Sequence, residues 1–172
     1  RAQLERLVSY IRSQLQVFLV EIRVDCDPHA TVGEKRQHLL EQACGKYVAF
    51  VDDDDWVSHN YVRHVLDACY QGSDCCSLVG VMTTDGQNPT RFEHSLVHTK
   101  WEEKDGLLVR SPNHLNAIKR ELALKAGMTS RSVGEDYEFS QALLPHLKTE
   151  TSTGSEPLYM YWHRKNDSVQ GK

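Results

Sequence analysis

Leu4, Leu7, Val8, Ile11 and Leu15 recur three or four positions apart, which predicts an amphipathic helix over residues 2–15. Residues 17–24 are dense in Val, Ile, Leu and Phe and read as a buried strand ending at Asp25-Cys26-Asp27, where Pro28 stops it. A loop over 29–33 leads to a second helix over 34–43, with Leu39, Leu40 and Ala43 on one side and Gly45 expected to close it. Residues 46–51 are β-prone and almost uncharged, so they read as another buried strand, followed by a helix over 58–70. A turn at 72–74 precedes a strand over 77–84, and Asp85-Gly86-Gln87-Asn88-Pro89 has hairpin-loop chemistry. Residues 91–110 suggest shorter strands joined by a mobile link around 102–106. Helices are expected over 116–126, stopped by Gly127, and over 137–147, with a last aromatic strand over 158–163 and a polar tail.

Alternating strands and helices through the first 70 residues predict right-handed crossovers and a parallel sheet. The second half is mixed. The expectation is an α/β fold in one domain over 1–172, with a nucleotide-binding half (1–84) and an acceptor-binding half (85–172) on a continuous sheet flanked by helices.

Composition narrows the function. A net charge of −4 without a basic run argues against broad nucleic-acid binding. No apolar run reaches the length of a membrane span. The five cysteines form no CxxC pair, so reduced, mostly buried thiols in a cytoplasmic protein are expected.

The chemistry concentrates at Asp52-Asp53-Asp54-Asp55, which follows the strand at 46–51. A strand end delivers such carboxylates to the sheet edge where open α/β folds bind ligands. Four adjacent negative charges favour a cation, and hard ions such as Mg²⁺ or Mn²⁺ share oxygen ligands with substrate phosphates. Asp25-Cys26-Asp27 ends a neighbouring strand. No GxGxxG or GxxxxGK[ST] loop follows either strand, which weakens the dinucleotide and P-loop readings. An EF-hand would need a Gly at its sixth position and a Glu at its twelfth, and neither is present here. Trp56 also breaks the pattern of a haloacid-type phosphatase.

These residues, with Gly33-Glu34-Lys35-Arg36, Gly45-Lys46-Tyr47, His114-Leu115-Asn116-Ala117 and Gly134-Glu135-Asp136-Tyr137, resemble a GT-A glycosyltransferase of the family 2 type. The nearest likeness is to the GT-A domain of a chlorella-virus glycosyltransferase. The resemblance implies a Rossmann-like, mainly parallel mixed sheet and transfer of a sugar from a nucleotide-diphosphate donor, expected to be a UDP-sugar, to a carbohydrate hydroxyl. It puts the DxD motif on Asp52, Asp53 and Asp54, with Asp54 and Asp52 as ligands of the divalent metal and Asp52 or Asp53 meeting the ribose. Asp25 and Asp27 would meet the base, and Lys35 and Arg36 the base or phosphates. His163 is the candidate third metal ligand. Asp136 is the candidate general base with Glu135 as its acceptor-binding neighbour, and His114 is a candidate acceptor contact. Asp55 would cap the following helix, and Trp101 could stack on a sugar face while Trp56 packs in the core.

GT-A folds begin with a strand and a Pro-containing loop, whereas this chain begins in a helix. A preceding segment is therefore expected, in a longer chain or a monomer. The alternative activities are nucleotidyl transfer with a metal-bound nucleotide, or carbohydrate or metal binding without catalysis.

Overall fold

The computed structural model describes residues 1–15 and 20–164. In chain order the elements are helices α1 (Ala2–Ser13) and α2 (Val32–Gln42), strands β1 (Tyr47–Val48) and β2 (Trp56–Val57), and helix α3 (Tyr61–Tyr70). Strands β3 (Cys75–Cys76), β4 (Leu78–Thr84), β5 (Gln87–His94), β6 (Glu102–Lys104), β7 (Leu107–Arg110) and β8 (Ile118–Lys119) follow. Helices α4 (Arg120–Ala126) and α5 (Glu135–Leu143), a 3-10 turn (Leu144–His146), and strands β9 (Glu150–Thr151) and β10 (Tyr159–His163) complete the chain.

The strands form two mixed sheets, ordered β1-β8-β3-β9 and β2-β10-β4-β5-β7-β6. In the larger sheet the parallel pairs β4 with β10 and β5 with β7 alternate with antiparallel ones, whereas in the smaller sheet β8 is antiparallel to both β1 and β3, and β3 is parallel to β9. Each sheet takes strands from before and after residue 84. One core, with Leu7, Val57, Tyr61, Leu78, Phe92 and Tyr159, lies on the larger sheet. A second, with Leu40, Cys75, Ile118, Phe139 and Leu143, lies between the smaller sheet and helices α2, α4 and α5. Fully burying a Leu or Phe side chain contributes about 1.5–3 kcal/mol.

Several local expectations change. The strand expected over 17–24 lies partly outside the described residues, and its portion from Val20 onward forms no strand pairing among them. Strand β1 pairs antiparallel with β8, and Phe50 N continues that side by donating to the His114 carbonyl at 3.0 Å, so the parallel crossovers expected over the first 70 residues do not form among the described residues. Its residues are half-buried because they border a cleft. Helix α2 ends on an extended Ala43, and Gly45 is not its cap. The link at 102–106 is a hairpin: Asp105 and Gly106 have φ of 50° and 76° between β6 and β7, which suits a two-residue turn. Asp85 and Gly86 make the same kind of turn, with φ of 51° and 75°. Pro89 sits in β5 opposite the register shift between Met82 and Thr84, where a missing ladder donor is tolerated. The segment 116–119 is buried loop and strand, so helix α4 starts only at Arg120.

Candidate active site

Helix α2 begins with a capping box in which Thr31 Oγ1 accepts from Glu34 N at 3.2 Å and Glu34 Oε2 accepts from Thr31 N at 2.8 Å. Gly33 N then donates to the Arg131 carbonyl at 2.8 Å, so the helix start rests on the loop before α5. That contact aims Arg36 inward. Its guanidinium, 8% exposed, donates to Glu135 Oε1 at 2.5 Å and to Asp52 Oδ1 at 2.6 Å. The planar fork of Arg lets one terminal nitrogen serve each carboxylate. His114 Nε2 adds a 3.4 Å contact to the other oxygen of Asp52. Burial raises the Asp52 carboxyl, but the bond and charge of His114 and then Arg36 hold it well below the ordinary range. The Arg36 guanidinium is favoured in its charged form, since Asp52 and Glu135 outweigh its burial.

The four carboxylates divide. Asp55 is buried, accepting from Tyr159 Oη and from Trp162 N, each at 2.8 Å. It therefore ties the acidic turn to β10 and does not cap α3, whose N-cap is Asn60. Burial pushes its carboxyl up to about 7, against the pull of those two bonds. Tyr159 Oη also accepts from Asp52 N at 3.1 Å, so one phenol positions both ends of the turn. Asp53 is exposed and Asp54 half-buried on the cleft wall. Burial, and then the Asp52 and Asp53 charges, raise the Asp54 carboxyl, with Arg164 opposing.

The cleft, about 1390 Å³, is lined by Asp25, Lys35, Asp52, Asp53, Asp54 and His163 among others. Asp27 is not on its wall, and its Oδ1 accepts from His29 N at 2.9 Å. Asp25 accepts from Asp27 N at 2.9 Å and contacts His38 Nδ1 at 2.8 Å, which holds the turn before Pro28. Arg36 is committed to Asp52 and Glu135, which departs from a simple base or phosphate contact. Among the described residues no three His, Cys, Asp or Glu side chains converge to hold a metal by themselves.

A second, smaller cavity of about 230 Å³ shares Arg36, Asp52 and Glu135 with the cleft as wall residues. His114 and Asp136 line it. Glu135 is buried in its ion pair, whereas Asp136 is half-exposed, with Oδ1 accepting from Tyr137 N at 2.8 Å. Sequence reasoning missed two further wall residues, His94 and Arg110. Burial pushes His94 down to about 3, keeping the ring neutral. Arg110 lies 4.4 Å from the Trp101 ring, which meets Tyr137 edge-on at 5.3 Å. Burial lowers the Arg110 guanidinium, and Asp136 opposes that shift. Neither has a motif around it; only the strand alternation of β5 and β7 points them inward.

This architecture, with an acidic turn at a sheet edge and a second acidic pair facing it, is the GT-A glycosyltransferase fold. S. aureus TarS shares it: its crystal structure superposes with a TM-score of 0.57 and 16% identity over 93% of this chain and 29% of that one. TarS 1-349 gives 0.58 and 17% over 92% and 47%. TarS 1-349 in complex with UDP-GlcNAc gives 0.58 and 15% over 95% and 47%. This chain thus spans less than half of each of these proteins. The profile of glycosyl transferase family 2 matches residues 28–127, more than half of the sequence, and the chain belongs to that family. No curated protein matches it. Among the described residues no helix is long and apolar enough to cross a membrane.

Proposed function

We propose that this chain carries the transfer site of a nucleotide-sugar glycosyltransferase, with a UDP-linked donor in the larger cleft and a carbohydrate hydroxyl in the smaller cavity. The observation that carries this reading is the shared wall: Arg36, Asp52 and Glu135 border both spaces, so donor-side and acceptor-side carboxylates are held at one junction. Family membership supports the reaction class, and the UDP-GlcNAc bound by TarS supports the donor class. The nearer likeness to a chlorella-virus domain rests on the motifs alone.

A divalent cation fits the acidic turn. Asp54 is a carboxylate whose ionisation is opposed by burial and by its neighbours, a penalty that a cation relieves. Mg²⁺ or Mn²⁺ held by one or two protein carboxylates, with donor phosphates and water completing the shell, needs no cluster of three protein ligands. Asp54 would be the principal ligand, with Asp52 or Asp53 beside it and His163 on the same wall. The ion would neutralise charge on the departing nucleotide. Lys35 and Arg164, on the wall of the same cleft, would pair with diphosphate oxygens, and Asp25, also on that wall, would meet the base.

Asp136 would take the proton from the acceptor hydroxyl as that oxygen bonds to the anomeric carbon and the bond from that carbon to the diphosphate oxygen breaks. It suits the role better than Glu135, because Glu135 is held by Arg36 while Asp136 faces the cavity without an ion pair of its own among the described residues.

Calorimetry with UDP-GlcNAc, with and without Mn²⁺, tests the donor assignment. Metal-dependent binding that Asp54→Ala abolishes is the expected outcome; equal binding by that variant removes Asp54 as the metal ligand.

A further inference from the structure

We propose that Cys69 and Cys76 form a reversible disulfide, Cys69 being the thiol that meets the oxidant and Cys76 the one that closes the bond. This inference is independent of the transfer reaction. Cys69 lies in the last turn of α3 and Cys76 in β3, and the turn through Gly72 (φ 81°) folds the strand back toward the helix end. The two sulfurs lie 3.8 Å apart, in direct contact, so a modest approach of the side chains completes the bond.

The neighbouring cysteine does not compete. Successive strand residues face opposite sides of a sheet. Cys75 therefore turns away, with its sulfur near the Thr149 carbonyl at 3.8 Å and Glu150 at 3.9 Å. Cys26 and Cys44 are exposed and unpaired with any other thiol among the described residues.

Access and reactivity are divided between the partners. Cys69 is half-buried on the wall of the larger cleft, whereas Cys76 is 1% exposed. The hydrogen bond shared by the two thiols lowers the Cys69 thiol and raises that of Cys76. An accessible thiol of lowered pKa beside a resolving cysteine is the arrangement of redox-responsive pairs.

The step balances with a small disulfide such as oxidised glutathione. The Cys69 thiolate attacks one sulfur, forming a mixed disulfide and releasing one glutathione thiolate. Cys76 then gives up its proton and attacks the Cys69 sulfur, releasing the second glutathione. Two protein thiols are oxidised and one glutathione disulfide is reduced to two thiols. The product would fasten α3 to β3, whose Cys76 carbonyl accepts from Asn116 Nδ2 at 2.9 Å just behind His114.

The test is peptide mapping of the protein after incubation with oxidised glutathione and alkylation of remaining thiols. A cross-link between Cys69 and Cys76 that dithiothreitol reverses is expected, together with a higher melting temperature of the oxidised form. Cys76→Ser should stop at one glutathione on Cys69. If wild-type protein takes glutathione only at Cys26 or Cys44, and Cys69 and Cys76 both remain alkylatable, the proposal is overturned.

Discussion

Arg36 and Glu135 stand 99 residues apart in the chain and meet through a 2.5 Å ion pair, each side chain 8% exposed. The same guanidinium holds Asp52 at 2.6 Å. One cation thus sits between two carboxylates, one on the acidic turn and the other at the start of α5. Without it two negative charges would face each other, that of Glu135 buried and that of Asp52 partly so.

Arg36→Ala should therefore destabilise the protein by about 3–5 kcal/mol, the usual cost of removing one partner from a buried ion pair. Arg36→Lys should recover only part of this, because a single ammonium cannot reproduce two fork-like contacts. Chemical denaturation measures both. A loss below about 1 kcal/mol in the alanine variant would mean that the two carboxylates are relieved some other way.

For the proposed base, Asp136→Asn should lower turnover by about 10²–10⁴-fold while leaving UDP-GlcNAc binding intact. The change removes the basic oxygen but keeps the size and the hydrogen bond to Tyr137 N. Glu135→Gln serves as contrast. It weakens the hold on Arg36 and should cost stability as well as activity. Retained turnover in Asp136→Asn would take that residue out of the role.

Much of this site is legible in the sequence, and the reasons differ from element to element. The acidic turn is contiguous, so Asp52 to Asp54 are found by reading along the chain. The aromatic strand β10 matches its expected span closely because periodicity and composition agree there. Arg36 looks like an ordinary helix-surface cation until α2 is docked on the 129–131 loop, which is a tertiary event. Asp55 looks like a helix cap because local sequence does not reveal that Tyr159 and Trp162, over a hundred residues later, claim its two oxygens. The strand expected over 77–84 corresponds to β4, but Cys75 and Cys76 just before it form β3 in the other sheet, and nothing in the alternation marks that separate strand. His94 and Arg110 reach the smaller cavity only through the pairing of β5 with β7.

Asp74 supplies a pH-dependent test of the smaller sheet. Its carboxylate accepts from Lys119 Nζ at 2.9 Å, from Lys148 N at 2.9 Å and from Thr149 N at 3.1 Å, joining β3, β8 and the approach to β9. The Lys119 bond, followed by the two backbone bonds, lowers its carboxyl to about 2. A carboxyl lowered on folding stabilises the native state above its unfolded value of about 3.9, and that stability fades as pH falls toward 2. Asp74→Ala should therefore unfold at lower temperature than wild type at pH 7, with the gap closing between about pH 4 and pH 2. A gap that stays constant over this range would show that the ionised carboxylate is not what holds these strands.

Gly33→Ala tests whether the docking of α2 sets the geometry of the junction. A methyl group at position 33 would overlap the Thr129 carbonyl oxygen and crowd that of Arg131, both backbone atoms that no rotamer change can move aside. Either the helix start or the 129–131 loop must retreat, and overpacking of this kind costs about 1–3 kcal/mol. Retreat also lengthens the reach of Arg36 toward Glu135, since that residue lies one turn into the helix and its partner begins α5 just beyond the displaced loop. The expected result is a lower melting temperature together with weaker binding of UDP-GlcNAc, because Asp52 shares the same guanidinium. Adding Arg36→Met to Gly33→Ala should then cost less than Arg36→Met does in the wild-type background, the mark of two residues acting through one contact. Fully additive losses would mean that Gly33 supports α2 without positioning Arg36.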